Sequence, residues 1–524
     1  MRLSRCLLLV FAGSSVMPSC AGEGDDSSAA GGASAGGVAG GGAGAGRTGG
    51  VAQAGRDFGA GMAGQVGTTG GAAGAADGGS RSDGGSRSGG DAGASGQAVT
   101  GGAAGAGAGA GGSAGDAGAA GVGGDSAGGT SLPNTCIYPA AADLVNAALP
   151  PGFCAWTWAT DVPEVRGITV DEAGNVLAVA RGSAAVLALW DANGDGVSSA
   201  QERATVAAYT GLNHGVALHD GYLYASRDRA VVRWAYSANR SDLGAGTVVV
   251  NAIPTGGHVT RSLAFDAQYL YVSVGSGTNV DANSDRAQIR RFPVSSFSTK
   301  AIPFGNGELF ADGLRNEVGI AFDSRGRLWG VENGMDDLVR TDLGGDIHEQ
   351  NPAEELNLFA EPGRFYGYPY CWSEFSLPSG VGLGAGAQWA TPATQADGTH
   401  SDAWCQDESN VVRPMLAMQA HSAPLDIAFY RGNAFPRGYV GDAFITFHGS
   451  WNRSVPTGYK VMRVALASDG LPLGTATPFL EYKGDGDVAV EWPHRPVALA
   501  TLPNGVLLVT SDASNSILAI GYRP

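Results

Sequence analysis

Arg166-Gly-Ile-Thr-Val-Asp171, His214-Gly-Val-Ala-Leu-His-Asp220, Arg261-Ser-Leu-Ala-Phe-Asp266, Val318-Gly-Ile-Ala-Phe-Asp323, Leu425-Asp-Ile-Ala-Phe429 and Val497-Ala-Leu-Ala-Thr501 are six versions of one phrase. Each reads as a short apolar strand. Most are followed by a turn and a second alternating strand, as in Asn175-Val-Leu-Ala-Val-Ala180, Tyr222-Leu-Tyr-Ala-Ser226, Tyr269-Leu-Tyr-Val-Ser-Val274, Arg327-Leu-Trp-Gly-Val331 and Val506-Leu-Leu-Val-Thr510. A hairpin repeated at a spacing of roughly 50 residues, with no amphipathic helices of note, is how propeller blades look in sequence. The expected fold is therefore all-β, a six-bladed β-propeller over residues 132–524. The wider gap between the fourth and fifth copies, at about residues 342–420, predicts an insertion on one face that carries Cys371, Trp372 and Cys405.

Outward from the repeats, residues 21–131 are Gly, Ala and Ser with scattered Asp and Arg. Such a stretch has too little apolar surface to bury a core and is expected to be a disordered linker. Residues 1–20 read as a signal peptide: Arg2 and Arg5, then Leu7 to Phe11, then small residues before Cys20. Val16-Met-Pro-Ser-Cys20 resembles a lipoprotein box, with Met17 and Pro18 as imperfect matches, so export and a lipid anchor at Cys20 are expected. That places the protein in the cell envelope, periplasm or outer membrane, with membrane contact through the lipid alone; the early apolar run is too short to span a bilayer. With 49 acidic against 32 basic residues and a net charge of −17, nucleic acid is a poor partner, because phosphate binding needs clustered Lys and Arg. Four cysteines remain in the domain, Cys136, Cys154, Cys371 and Cys405; of three connectivities, pairing of nearest neighbours is favoured.

In a propeller the first strand of each blade is innermost, so residues just ahead of it converge on one mouth of the axis. Those positions hold Arg166, His214, His258 with Arg261, Arg315 with Asn316, His421 with Ser422, and His494 with Arg495. Four arginines around one axis suit a planar polycarboxylate, unless each is paired with a carboxylate of the scaffold. Separately, Asp191, Asn193, Asp195, Val197, Ser199 and Glu202, with Gly196 at the sixth position, match a calcium-loop pattern. It follows a strand, which points to a calcium-stabilised surface loop.

Three stretches carry a resemblance: Gly257-His258-Val-Thr-Arg261-Ser-Leu-Ala-Phe265 with Tyr271-Val-Ser-Val-Gly-Ser276; Gly313-Leu-Arg315-Asn316-Glu-Val-Gly-Ile-Ala-Phe322 with Glu332-Asn333-Gly334-Met335-Asp336-Asp337; and His448-Gly-Ser-Trp451-Asn452-Arg453-Ser454. Glu354-Glu-Leu-Asn357, Phe365-Tyr-Gly-Tyr-Pro369 and His421-Ser-Ala-Pro424 extend it. The chain resembles the glucose/sorbosone dehydrogenases, the sorbosone type more than the glucose type. The resemblance implies a propeller holding pyrroloquinoline quinone (PQQ) and calcium on its axis, and oxidation of an aldose or related sugar or aldehyde. Electrons would leave to a separate acceptor.

By that pattern His258 matches the general base, and Arg315, Asn316, Asn333 and Arg495 match cofactor contacts. The carbonyls of Gly334 and Met335 match the metal turn, and Arg166, Arg261, Trp451, Asn452 and Arg453 join the cofactor set. Two positions depart from the glucose-type pattern. The carboxylate that orients the base there is Ser276 here, and the proline of the metal turn is Met335. Two other readings compete: a non-catalytic propeller binding glycan or protein, and a calcium-dependent lactonase-type hydrolase, which the arginine ring disfavours by repelling an axial cation.

Overall fold

The computed structural model describes residues 132–283 and 285–524 of the chain. The expected signal peptide, Cys20 and the linker to residue 131 lie outside the described residues. Six mainly antiparallel sheets follow one another along the chain. Their innermost strands are Val165–Val170, Leu212–His219, Leu263–Phe265, Glu317–Phe322, Pro424–Phe429 and Pro496–Thr501, for blades I to VI. These are the six repeated phrases, and each inner strand neighbours the next, with the sixth returning to the first. Apart from 3-10 turns, the described residues hold two short helices, Asp402–Gln406 and Val488–Glu491, and no helix long and apolar enough to cross a membrane.

Inner strands approach so closely that some positions admit no side chain. A Cβ at Gly167 would collide with the carbonyl oxygen of His214, one at Gly215 with that of Arg261, and one at Gly319 would lie 2.5 Å from Asp426 Cα. That is why three of the six phrases carry glycine at the same place. Hydroxyl groups on second strands then tie four of the blades to the chain entering the next. Ser226 Oγ donates to Arg261 O at 2.6 Å, Thr446 Oγ1 to Val497 O at 2.8 Å and Thr510 Oγ1 to Arg166 O at 2.8 Å; Ser273 Oγ donates to Glu317 O. Each buried bond is worth about 1 kcal/mol. Apolar side chains fill the wedges between blades, for example Leu177, Val179 and Val186 against Leu223, Val232 and Trp234.

The ring is closed by a segment that the repeats do not reveal. Phe153–Ala159 pairs antiparallel with Ser516–Tyr522, so the outer strand of blade VI comes from the start of the domain. Thr135 N donates to Tyr522 O at 2.9 Å, and Tyr522 N to Thr135 Oγ1 at 2.7 Å. The disulfides are Cys136–Cys154 and Cys371–Cys405, as nearest-neighbour pairing predicts.

The expected insertion is smaller than 342–420. Glu354–Phe359 and Leu416–Met418 are strands of blade IV, and Arg364–Phe365 adds to the edge of blade III. What crowns the fold is the hairpin Cys371–Ser373 with Gln388–Ala390 and the helix holding Cys405. The repeated phrases mark inner strands alone, so the outer strand Glu354–Phe359 falls in the gap between copies.

Candidate active site

His258 lies in the loop ahead of the inner strand of blade III and is 8% exposed. Its Nδ1 is 3.0 Å from Ser276 Oγ and 3.2 Å from Ser276 O. The loop is gripped from behind by two buried arginines. Arg261 Nη1 donates to His258 O at 2.7 Å, and its other donors reach Asp228 O, Thr260 O and Pro254 O. Arg286 donates to Thr255 O at 2.6 Å, Gly256 O at 2.5 Å and Ser276 O at 3.0 Å. Arg261, expected at the cofactor, is thus a fully buried brace whose guanidinium faces backbone carbonyls.

Blade IV sits directly against this loop. Ser276 N donates to Arg315 O at 2.7 Å. A Cβ at Gly275 would fall 2.6 Å from Asn316 Oδ1 and 2.7 Å from His258 Cβ, so glycine lets imidazole and amide share that corner. Asn316 Nδ2 lies 3.5 Å from Asn333 Oδ1, and Asn333 N donates to Asn316 O at 3.1 Å. Arg315 Nη2 donates to Asp336 Oδ2 and to Asn279 Oδ1, both at 2.9 Å. Asp336 Oδ1 in turn receives Asn452 Nδ2 at 3.4 Å and lies 3.5 Å from His421 Nδ1. Burial opposes the charge on His421, but the carboxylates of Asp336 and Glu354 outweigh it and raise its pKa.

Between Asn333 and Asp336 runs the expected metal turn. Glu354 Oε2 accepts from Gly334 N at 2.8 Å and its Oε1 from Ala423 N at 3.0 Å. A Cβ at Gly334 would meet Pro352 Cγ at 2.8 Å. Met335 turns its side chain into the crown core beside Leu343, Tyr368 and Trp372. The turn lacks proline and is stiffened by Glu354 and by that packing. Among the described residues no donor reaches the carbonyls of Gly334 and Met335.

A second arc completes the axis. Arg495 Nη2 donates to Gly449 O at 2.8 Å and its Nε to His448 O at 3.1 Å. His448 Nε2 is 2.9 Å from Asp512 Oδ1, and Arg166 Nη1 is 2.7 Å from Asp512 Oδ2. Arg166, expected among the cofactor contacts, is buried and paired with Asp512. Arg495 is half-buried, and among the described residues it meets backbone carbonyls and the ring of Tyr459 but no carboxylate. Arg453 lies 3.9 Å from Glu349, and its buried Nη1 lacks a hydrogen-bond partner. Trp451 is 52% exposed. The ring of four arginines therefore divides: Arg166 pairs with Asp512, Arg261 braces backbone carbonyls, Arg315 pairs with Asp336, and Arg495 meets carbonyls and an aromatic ring.

Beneath Arg315 lie acidic groups that sequence reasoning passed over. Glu332 Oε1 accepts from Arg315 N at 2.5 Å, and Asn357 Nδ2 bridges Glu317 and Glu355 at 3.3 and 3.2 Å. Burial raises Glu317 and Glu332 well above the usual carboxylate range, and raises Glu354 and Glu355 to about 7. The folded state binds these protons more tightly than the unfolded chain, so the contribution of these four groups to stability is full below about pH 4.5 and declines as pH rises, for Glu354 and Glu355 through about 7. Glu355→Gln is expected to exceed the natural chain in stability by roughly 2 kcal/mol at pH 8, the gap closing towards pH 5. Urea titrations at both pH values check this; a gap that widens on acidification would refute it.

The calcium-pattern loop lies apart from this cluster. Asp191 accepts from the N–H groups of Gly194, Asp195 and Gly196, and Glu202 from those of Ala192 and Ser199. Its carboxylates are turned to the loop's own backbone. Among the described residues no three His, Cys, Asp or Glu side chains converge on a metal position.

Fold and site together define a six-bladed propeller with imidazole, guanidinium and amide groups gathered at the axis. The family model TrAA12-like matches residues 147–523, and the chain belongs to that family. A PQQ-dependent sugar dehydrogenase of Hypocrea jecorina (strain QM6a) is 32% identical over 390 residues, covering 69% of this chain and 86% of the relative. A PQQ-dependent pyranose dehydrogenase of Coprinopsis cinerea is 33% identical over 323 residues, 57% of this chain; the match spans 42% of that relative's length. Among solved structures, the calcium structure of the Trichoderma reesei carbohydrate-active enzyme of family AA12 superposes with a TM-score of 0.64 at 31% identity, covering 74% of this chain and 98% of that one. The holo PQQ domain of the Coprinopsis pyranose dehydrogenase gives 0.64 at 28% identity, over 72% and 97%.

Proposed function

We propose that the chain is a PQQ- and calcium-dependent dehydrogenase that oxidises an aldose, pyranose or related sugar aldehyde of sorbosone type, with His258 as the general base. The observation that carries this reading is continuity. His258, Ser276, Arg315, Asn316, Asn333 and the Gly334–Met335 turn form one hydrogen-bonded unit, so a proton acceptor and a seat for an anionic, metal-bound group share one mouth.

The residues present fit the cofactor. Among the described residues, Arg495 offers a charge that no carboxylate cancels and Arg453 a buried orphaned donor, and Arg315 with Asn316 and Asn333 supplies amide and guanidinium contacts. The carbonyls of Gly334 and Met335 are free to ligate a hard cation, for which oxygen donors are suited. Asn452 joins the same cluster through Asp336, and Trp451, next to it in the chain, is proposed as a further contact. When bound, PQQ supplies a hydride acceptor and calcium a Lewis acid beside it. His258 accepts the hydroxyl proton of the sugar at Nε2, while Arg261 and Arg286 hold its loop still. The loop from Asp191 to Glu202 is the proposed site of a structural calcium. Two disulfides suit an oxidising compartment, in keeping with export and anchoring at Cys20.

The test is reconstitution of the chelator-treated full chain with PQQ and calcium, followed by dye-linked turnover of aldoses, pyranoses and sorbosone. Turnover that needs both additions is expected. A chain that binds no PQQ would overturn the reading in favour of a binding propeller.

A further inference from the structure

We propose that Ser276 is a positioning residue that sets His258 in the tautomer with its proton on Nδ1 and its lone pair on Nε2; this rests on the reading of His258 as the base. A neutral imidazole carries one ring proton, and its neighbours decide which nitrogen holds it. Two oxygens of Ser276 reach Nδ1, the hydroxyl at 3.0 Å and the carbonyl at 3.2 Å. A carbonyl can only accept. The hydroxyl directs its own proton to Thr278 O at 2.7 Å and so presents a lone pair to the ring. Both neighbours therefore take a hydrogen bond from Nδ1. The opposite tautomer would set two lone pairs against a carbonyl oxygen and would pull the hydroxyl away from Thr278.

Of the two contacts, the hydroxyl is the selective one. Ser276 O already accepts from His258 N at 3.1 Å and from Arg286 Nη2 at 3.0 Å, which leaves it a poor third acceptor. The serine itself is fully buried and fixed by its N–H on Arg315 O. Among the described residues, the charged groups around the loop include Arg261 and Arg286, which donate to its carbonyls, Arg315, whose own carbonyl takes Ser276 N, and Asp281, which accepts from Gly277 N at 2.6 Å. The relay from Nδ1–H through Ser276 to Thr278 thus orients the base with a neutral dipole.

The experiment is nitrogen-15 NMR of the full chain labelled at histidine, with His258→Gln identifying the His258 signals, alongside steady-state kinetics of the loaded protein. The natural chain should show a protonated Nδ1 and an unprotonated Nε2. Ser276→Ala should shift this towards a mixture and lower kcat by about tenfold with KM little changed, as expected for loss of one buried hydrogen bond. Ser276→Thr, which keeps the hydroxyl, should restore both. An unchanged Ser276→Ala spectrum, or one in which Ser276→Thr fails to recover the tautomer, would overturn the positioning role. Turnover surviving in His258→Gln would instead overturn the base reading and leave the tautomer result standing.

Discussion

His258→Gln, loaded with PQQ and calcium, is expected to lose about 10²- to 10⁴-fold in kcat/KM, the range that a well-placed general base contributes. Glutamine fills similar space but has no nitrogen that accepts a proton near neutral pH. The loop that carries residue 258 is held through its main chain, by Arg261 on the carbonyl and by Ser276 O on the N–H. The substitution should therefore leave PQQ affinity and melting temperature close to natural values. Fluorescence titration with PQQ and a thermal melt, run beside the dye-linked assay, check this. Activity within about tenfold of the natural chain would mean that another group takes the proton.

Arg315→Met should have the largest effect on the folded state. Arg315 and Asp336 are both almost wholly buried and joined at 2.9 Å, and removing the guanidinium strips the buried carboxylate of its strongest partner, a loss of roughly 3 kcal/mol that His421 and Asn452 offset only in part. Asp336→Asn added to Arg315→Met removes that charge and should recover most of the stability. It should not recover PQQ binding, because Asn333 and Asn316 then lack the guanidinium beside them. Urea unfolding separates the first effect from the second, and calorimetric titration with PQQ measures the second. If the double variant bound PQQ normally, Arg315 would be purely structural.

The inner strands, the blade count and both disulfides were legible in the sequence because they depend on local pattern and spacing. The closing strand was not. Phe153–Ala159 alternates like any strand, but its partner Ser516–Tyr522 is remote in the chain and nothing local marks the pairing. The arginine ring was half legible. Position ahead of an inner strand brings Arg166, Arg261, Arg315 and Arg495 towards the axis, whereas their neutralisation depends on Asp512, Asp336 and backbone carbonyls supplied by other segments. Ser276 illustrates the same limit. Compared with a carboxylate pattern it reads as a loss, and only the distances to Nδ1 and Thr278 O reveal a hydroxyl that orients the ring. Arg286 carried no sequence signal, since it stands in no repeated phrase, and Glu354 stood only within the resemblance, with no role attached.

The stitching of Thr135 to Tyr522, followed by the Cys136–Cys154 bond, also determines how the domain bears a mechanical load. A pull through residue 132 meets the C-terminal strand first, and the disulfide then prevents the chain between residues 136 and 154 from paying out. The force passes straight to the closing strand of blade VI. With the sulfurs reduced, the 18-residue separation could extend to about 60 Å once Ala147–Ala148 had peeled from the edge of blade V. The oxidised entry thus keeps the propeller on a short leash, and a pull on residue 132 is met by the closed ring as a whole.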